Sequence, residues 1–130
     1  MNTKPHYNGG KWTEARMHSF IKSALRSASQ RWPPKYESIK EACTGKKINN
    51  KTGRIAAHYL CNNCKEEFPL KEIQVDHIEP VIDPSKGFVT WDEVIVRMFC
   101  EKEGYQILCK SCHSSKTTVE KQTAKERNKK

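Results

Sequence analysis

The chain has no long apolar run. No stretch approaches the ~20 apolar residues that a membrane-spanning helix needs, so a membrane protein is not expected. The first residues, Met1-Asn2-Thr3-Lys4-Pro5-His6, are polar. No secretory leader is therefore expected, and the setting is read as intracellular. Apolar residues make up only 35% of the 130 positions. One domain suits this length, but its core will be small and needs a staple. Acidic residues are scarce near the start: residues 1–60 hold 3 Asp/Glu against 12 Lys/Arg. No internal repeat stands out beyond a doubled Cys-x-x-Cys. No thioredoxin-like βαβ pattern surrounds those pairs, which argues against a redox role. Nothing reads as a helix-turn-helix recognition element either.

What the chain does have is cysteine in a metal-binding pattern. The pairs are Cys61-Asn62-Asn63-Cys64 and Cys109-Lys110-Ser111-Cys112, the second running directly into His113. Thiols stay reduced inside cells, so the pairs read as metal ligands rather than disulfides. Four thiolates close a tetrahedral zinc site and leave no position open for chemistry. The 44 residues between Cys64 and Cys109 exceed the interval of a simple zinc ribbon. Residues 65–108 then form a loop closed at its base, and Asp76-His77 lies within it. A carboxylate and imidazoles make an open, harder site that suits a hydrolytic cation. Cys43 and Cys100 are left over and are expected to be buried as small apolar groups. His58, near the first pair, is read as packed or exposed rather than ligating.

Charge is segregated along the chain. Residues 1–60 carry +9, residues 61–116 carry −3 (7 basic, 10 acidic), and residues 117–130 carry +3 (5 basic, 2 acidic). Basic flanks attract a polyanion, and an acidic centre attracts a divalent cation.

The coarse element pattern starts with a disordered lead over residues 1–11. Met17, Phe20, Ile21, Ala24, Leu25 and Ala28 recur at helical spacing, which predicts a helix over 13–31 with Thr13 as its N-cap. Pro33-Pro34 stops it. A short helix is expected over 34–43, with Gly45 beyond its end. Thr44 to Arg54 is polar and reads as a loop. Ile73 and Val75 alternate with polar residues, which predicts a strand over 71–77. Pro80, Pro84 and Gly87 mark a turn or loop. Trp91, Val94, Ile95, Met98 and Phe99 predict a helix over 91–101. A last helix is expected over 111–125, with fraying from Glu126. Trp32 and Trp91 sit at helix ends and read as core.

The run Val75-Asp76-His77-Ile78-Glu79-Pro80-Val81, followed by Leu108-Cys109-Lys110-Ser111-Cys112-His113-Ser114-Ser115-Lys116-Thr117, resembles the HNH endonucleases, in the variety with four zinc-binding cysteines. The resemblance covers about residues 58–120. Arg31-Trp32-Pro33-Pro34-Lys35 and the helix before it are similar to the N-terminal part of small phage-encoded HNH proteins. The fold class this implies is α+β: a ββα-metal core stapled by a four-cysteine zinc site and preceded by one or two helices. The implied organisation is a basic helical extension (1–57), a nuclease core (58–120) and a basic, partly disordered tail (121–130).

The family implies roles for particular residues. Asp76 and His113 would bind a catalytic Mg²⁺ or Mn²⁺, and His77 would be the general base. Cys61, Cys64, Cys109 and Cys112 would hold structural Zn²⁺. In a strand, neighbouring side chains point to opposite sides, so Asp76 can face the metal while His77 faces elsewhere. In-line attack with a metal on the leaving oxygen would give 5′-phosphate and 3′-hydroxyl ends. Arg16, Lys22, Arg26, Lys116, Lys121 and Lys125 are the candidate DNA contacts, binding phosphates without sequence information. The expected partner is DNA, with phage packaging or replication proteins as further candidates. A monomer would nick, and a weak dimer would cut both strands. If phage-encoded, the protein would act in the host cytoplasm. The sequence departs from the family at Gly104, where the run Asn-Leu-Gln-x-Leu-Cys usually has its Asn, a residue that orients the loop bearing the base. The rival reading is a non-catalytic zinc module that binds nucleic acid.

Overall fold

The computed structural model describes residues 7–129. The chain divides into two compact units, Met1–Trp32 and Pro33–Lys130.

The first unit is built on α1 (Glu14–Ser29). Its start is where the sequence puts it: Thr13 Oγ1 accepts from the Arg16 N–H at 3.2 Å. Glu14 in the first turn and Arg26 in the last suit the helix dipole. Ahead of it, residues 1–6 of the expected lead lie outside the described residues, while Tyr7 and Trp12 pair across a tight turn. Trp12 packs edge-on against Phe20 at 5.3 Å and carries the Arg16 guanidinium over its ring at 4.6 Å.

The second unit opens with α2 (Pro33–Ala42), where proline occupies the first helical position and sacrifices no hydrogen bond there. The expected loop over 44–54 is instead an antiparallel hairpin, β1 (Cys43–Ile48) with β2 (Ile55–Leu60). Its turn is set by Asn49 and Gly53. Asn49 O accepts from both Thr52 and Gly53, and Gly53 takes a φ of +73°. All six β1 residues are exposed, so no apolar alternation announces the strand. Cys43 is exposed with them, against the expectation of burial, and Cys100 is half-buried. β3 (Glu67–Pro69) completes a three-stranded sheet in the order β1-β2-β3.

A second sheet pairs β4 (Ile73–His77) with β5 (Tyr105–Cys109), antiparallel, with Asp76 opposite Gln106 and His77 opposite Tyr105. β4 begins two residues later than expected because Leu70–Glu72 forms a 3₁₀ turn. Between the strands lies α3 (Trp91–Met98), capped by Thr90 Oγ1 on the Glu93 N–H. It ends at Met98, short of the expected 101, where Phe99 leaves helical geometry. Its inner face supplies Val94 and Met98, almost completely buried. Trp91 packs edge-on against Phe88 at 5.0 Å.

β5 runs directly into α4 (Lys110–Asn128). The helix continues past the expected fraying point at Glu126. Arg127 anchors it by donating to Pro84 O at 2.9 Å. The fold is thus α+β, with four α-helices and two small antiparallel sheets among the described residues. Its small core includes a cluster of Cys61, Leu108 and Cys109, with Phe68 and Cys112 packed against it. None of the helices among the described residues is long and apolar enough to cross a membrane.

Candidate functional site

Cys61 follows β2, Cys109 ends β5, and Cys112 lies in the first turn of α4. The turn at Cys61–Cys64 and the start of α4 bring all four sulfurs within 4.8 Å of one another. Tetrahedral zinc with ~2.3 Å Zn–S bonds sets its sulfurs roughly 3.8 Å apart, so small side-chain movements would close the shell. Among the described residues, this is the one group of three or more such ligands that comes together. The donor set is soft and complete, and it fits zinc.

Electrostatics prepare the cluster unevenly. Burial pushes the Cys61 thiol up, but backbone N–H groups of Cys64, Cys109 and Asn63 outweigh it and bring the thiol down to about 6. Cys109 N lies 3.3 Å from Cys61 Sγ. At Cys64 the Glu66 N–H favours the thiolate, yet burial and the other three sulfurs prevail and push it up to about 12. Burial likewise raises Cys109.

The second constellation sits on β4, β5 and α4. Asp76 is 8% exposed. Its Oδ1 stands 3.7 Å from His113 Nε2, one turn into α4. That is too long for a hydrogen bond. It lies inside the roughly 4.2 Å that two ligands of one Mg²⁺ can span, twice a ~2.1 Å bond. Asp76 Oδ2 accepts from Gln106 Nε2 at 2.9 Å and faces Lys116 Nζ at 2.8 Å. Lys116 also donates to His77 O at 2.9 Å and pairs with Glu120 at 2.9 Å. Burial alone would lower the lysine, but Asp76 and Glu120 outweigh it and hold the ammonium above its ordinary value.

His77 faces away from Asp76, as strand alternation requires. Its Nε2 lies 3.0 Å from Met98 O, and its ring packs on Tyr105 at 4.9 Å. A carbonyl only accepts, so Nε2 carries a proton, and in the neutral tautomer that this bond selects the lone pair lies on Nδ1. Tyr105 Oη donates to the same carbonyl at 3.3 Å. Burial and the Cys100 sulfur push its phenol well above the ordinary range. Gly104 O accepts from Ile78 N at 2.9 Å, tying down the residue after His77. A Cβ at position 104 would come within 2.7 Å of Cys100 Sγ and 2.9 Å of its Cβ. The Cys100 side chain therefore leaves no room for any side chain at position 104.

The sequence motif thus places Asp76, His77, His113 and Lys116 together. His58 stays apart as a packed strand residue, its Nδ1 2.9 Å from Ala56 O. Asp83 is held low by hydrogen bonds from Ser85 in its own loop. Lys121 and Lys125 are exposed on α4, and Arg16 and Arg26 are exposed on α1, with Lys22 half-buried. Sequence reasoning missed the roles of Gln106, Asn62 and Glu120. The α4 spacing (Lys116, Glu120) could have found the last. Gln106 becomes visible only once the register pairs it with Asp76. A groove of about 300 Å³ runs past Gln106 and Lys116, bounded also by Asn62, Ser115 and Val119. Compared with known protein families, curated proteins and solved structures, the chain has no match.

Proposed function

We propose that the protein is a metal-dependent DNA endonuclease of the HNH type, built on a ββα-metal core formed by β4, β5 and α4. One observation carries the reading: consecutive strand residues serve opposite sides. Asp76 faces His113 at 3.7 Å, while His77 turns away with Nε2 held by Met98 O. In-line hydrolysis of a phosphodiester needs that division, with a cation at the leaving oxygen and a base at the attacking water.

Asp76 and His113 would hold the Mg²⁺ or Mn²⁺. When bound, the ion supplies Lewis-acid stabilisation of the leaving 3′ oxygen. His77 Nδ1 takes the proton from the attacking water, and Nε2–H stays on Met98 O throughout, so the ring does not turn. General-base help of this kind is worth ~10²–10⁴ in rate. Hydrolysis with the 3′ oxygen leaving yields 5′-phosphate and 3′-hydroxyl ends. Gly104 O, Met98 O and Tyr105 do the positioning that an asparagine side chain does elsewhere in the family. Lys116, Lys121 and Lys125 on α4, with Arg16, Lys22 and Arg26 on α1, supply phosphate contacts. The four cysteines hold zinc as scaffold, fixing the start of α4 and therefore His113.

A second reading has an observation in its favour. The Lys116 ammonium already neutralises Asp76, as it would in a zinc-stapled module that only binds nucleic acid. A supercoiled-plasmid assay with Mg²⁺ or Mn²⁺, run beside His77→Ala, separates the two. Nicked or linear DNA from the parent, lost in the variant, supports the nuclease. Binding without cleavage in every metal supports the module, and equal cleavage by both proteins removes His77 from its role.

A further inference from the structure

Two side chains outside the motif link the cysteine cluster to the Asp76 carboxylate. Asn62 Nδ2 donates to Gln106 Oε1 at 2.8 Å, and Gln106 Nε2 donates to Asp76 Oδ2 at 2.9 Å. The direction of this chain is fixed by chemistry. An ionised carboxylate only accepts, so Gln106 must turn its NH₂ toward Asp76. Its oxygen then faces Asn62, which must present its own NH₂. That leaves Asn62 Oδ1 as acceptor for Lys65 Nζ at 3.3 Å.

The far end of the chain is anchored in the cluster. Asn62 lies between Cys61 and Cys64, so metal held by those sulfurs fixes its backbone. Its own N–H donates to Ile107 O at 2.8 Å, pinning the turn to β5 next to Gln106. Asn63 uses its amide on Cys112 Sγ at 3.3 Å. The two asparagines of the first Cys-x-x-Cys therefore divide their work, Asn63 steadying a sulfur while Asn62 reaches toward the second site. At the near end Asp76 is buried, and its Oδ2 is shared between Gln106 Nε2 and Lys116 Nζ, so Gln106 fixes one of the two directions from which that oxygen is held.

We propose that Asn62 and Gln106 form a positioning relay through which the cysteine cluster orients the Asp76 carboxylate for its cation. This rests on the reading of Asp76 as an ion ligand. The zinc is then more than a staple, since it sets the angle at which Asp76 Oδ1 meets His113.

The test uses the full-length, zinc-loaded protein. Mn²⁺ binding is followed by electron paramagnetic resonance, and the Asp76 side-chain ¹³Cγ resonance is followed by NMR without added Mn²⁺. Gln106→Ala and Gln106→Met, which keeps the length and stays uncharged but lacks the N–H donor, should each weaken Mn²⁺ binding by ~10–100-fold at unchanged zinc content. Asn62→Ala, at an exposed position and with the backbone bond to Ile107 O retained, should shift the Asp76 resonance and weaken Mn²⁺ by a smaller factor. An Asp76 resonance that ignores Asn62→Ala, or Mn²⁺ affinity that ignores both Gln106 variants, overturns the relay. If the parent binds no Mn²⁺ while the Asp76 resonance still responds to Asn62→Ala, the ion-ligand assignment falls and the relay stands as a structural link.

Discussion

Lys116 and Asp76 form the tightest charge pair of the second site, with Nζ 2.8 Å from Oδ2 and the carboxylate almost wholly buried. On the proposed reading, the ammonium and a divalent ion would compete for one anion. Replacing Lys116 with methionine keeps most of the stem and removes the competitor. Mn²⁺ affinity should rise by ~10-fold, about 1.4 kcal/mol, while DNA affinity falls because a phosphate contact is lost. Calorimetric titration of the variant with Mn²⁺ checks the first part. Weaker Mn²⁺ binding would instead make the lysine a support for Asp76 rather than a rival of the metal.

His77→Ala should reduce cleavage by ~10²–10⁴ and leave Mn²⁺ binding at the parent level, because the ring faces Met98 O and Tyr105 rather than Asp76. Single-turnover cleavage and Mn²⁺ titration on the same preparation decide this. A large loss of Mn²⁺ affinity would place His77 among the ligands and reverse its assigned side.

The meeting of Asp76, His77, His113 and Lys116 was legible before the fold because these residues sit in two short runs, and the α4 and β4 periodicities carry them to one place. Asp76 and His77 diverge by strand alternation alone. The β1–β2 hairpin was not legible. Strand signals come from burial on one face, and here every β1 residue is exposed, with Ile48 opposite Ile55 as the one apolar pair at the tip. Gln106 was read only as part of a run. Its partner depends on which β4 residue lies across from it, and register is a property of the folded pair. Gly104 appeared as a defect against the family pattern. The structure gives its local cause, the Cys100 side chain packed where a Cβ would go.

Gly104→Asn introduces the residue usual in the HNH run that the sequence resembles, and it should destabilise the protein. Its Cβ would enter the space of Cys100, and overpacking of that kind costs ~1–3 kcal/mol. Thermal unfolding should show a lower Tm than the parent. Gly104→Ala should cost nearly as much, since the clash begins at Cβ. An unchanged Tm in both would mean that the 102–104 turn yields freely and does not hold Ile78 in place.

The exposed lysines of α4 make a prediction about salt. If Lys121 and Lys125 each neutralise a phosphate, removing one should weaken DNA binding alike on all sequences and flatten the log K against log[salt] slope by ~1. Fluorescence anisotropy over a salt series measures it. A variant with the parent's slope would remove that lysine from the interface.

Zinc loading should release protons in a way that the four sulfurs dictate. At pH 7 Cys61, brought down to about 6, is already largely thiolate. Cys64, near 12, and Cys109, raised above its ordinary 9.0, still hold their protons. Since zinc binds thiolates, loading at pH 7 must expel at least those two. Zinc affinity therefore falls as pH falls, by at least ~100-fold per unit near neutrality, with tenfold per unit for each proton expelled. Below about 6 Cys61 is protonated as well and a further proton joins the exchange, so the dependence steepens. Zinc titrations in buffers of different ionisation enthalpy count the protons directly. Fewer than two at pH 7 would mean that the cluster is pre-ionised, with stronger N–H donation to its sulfurs than Cys61 alone receives.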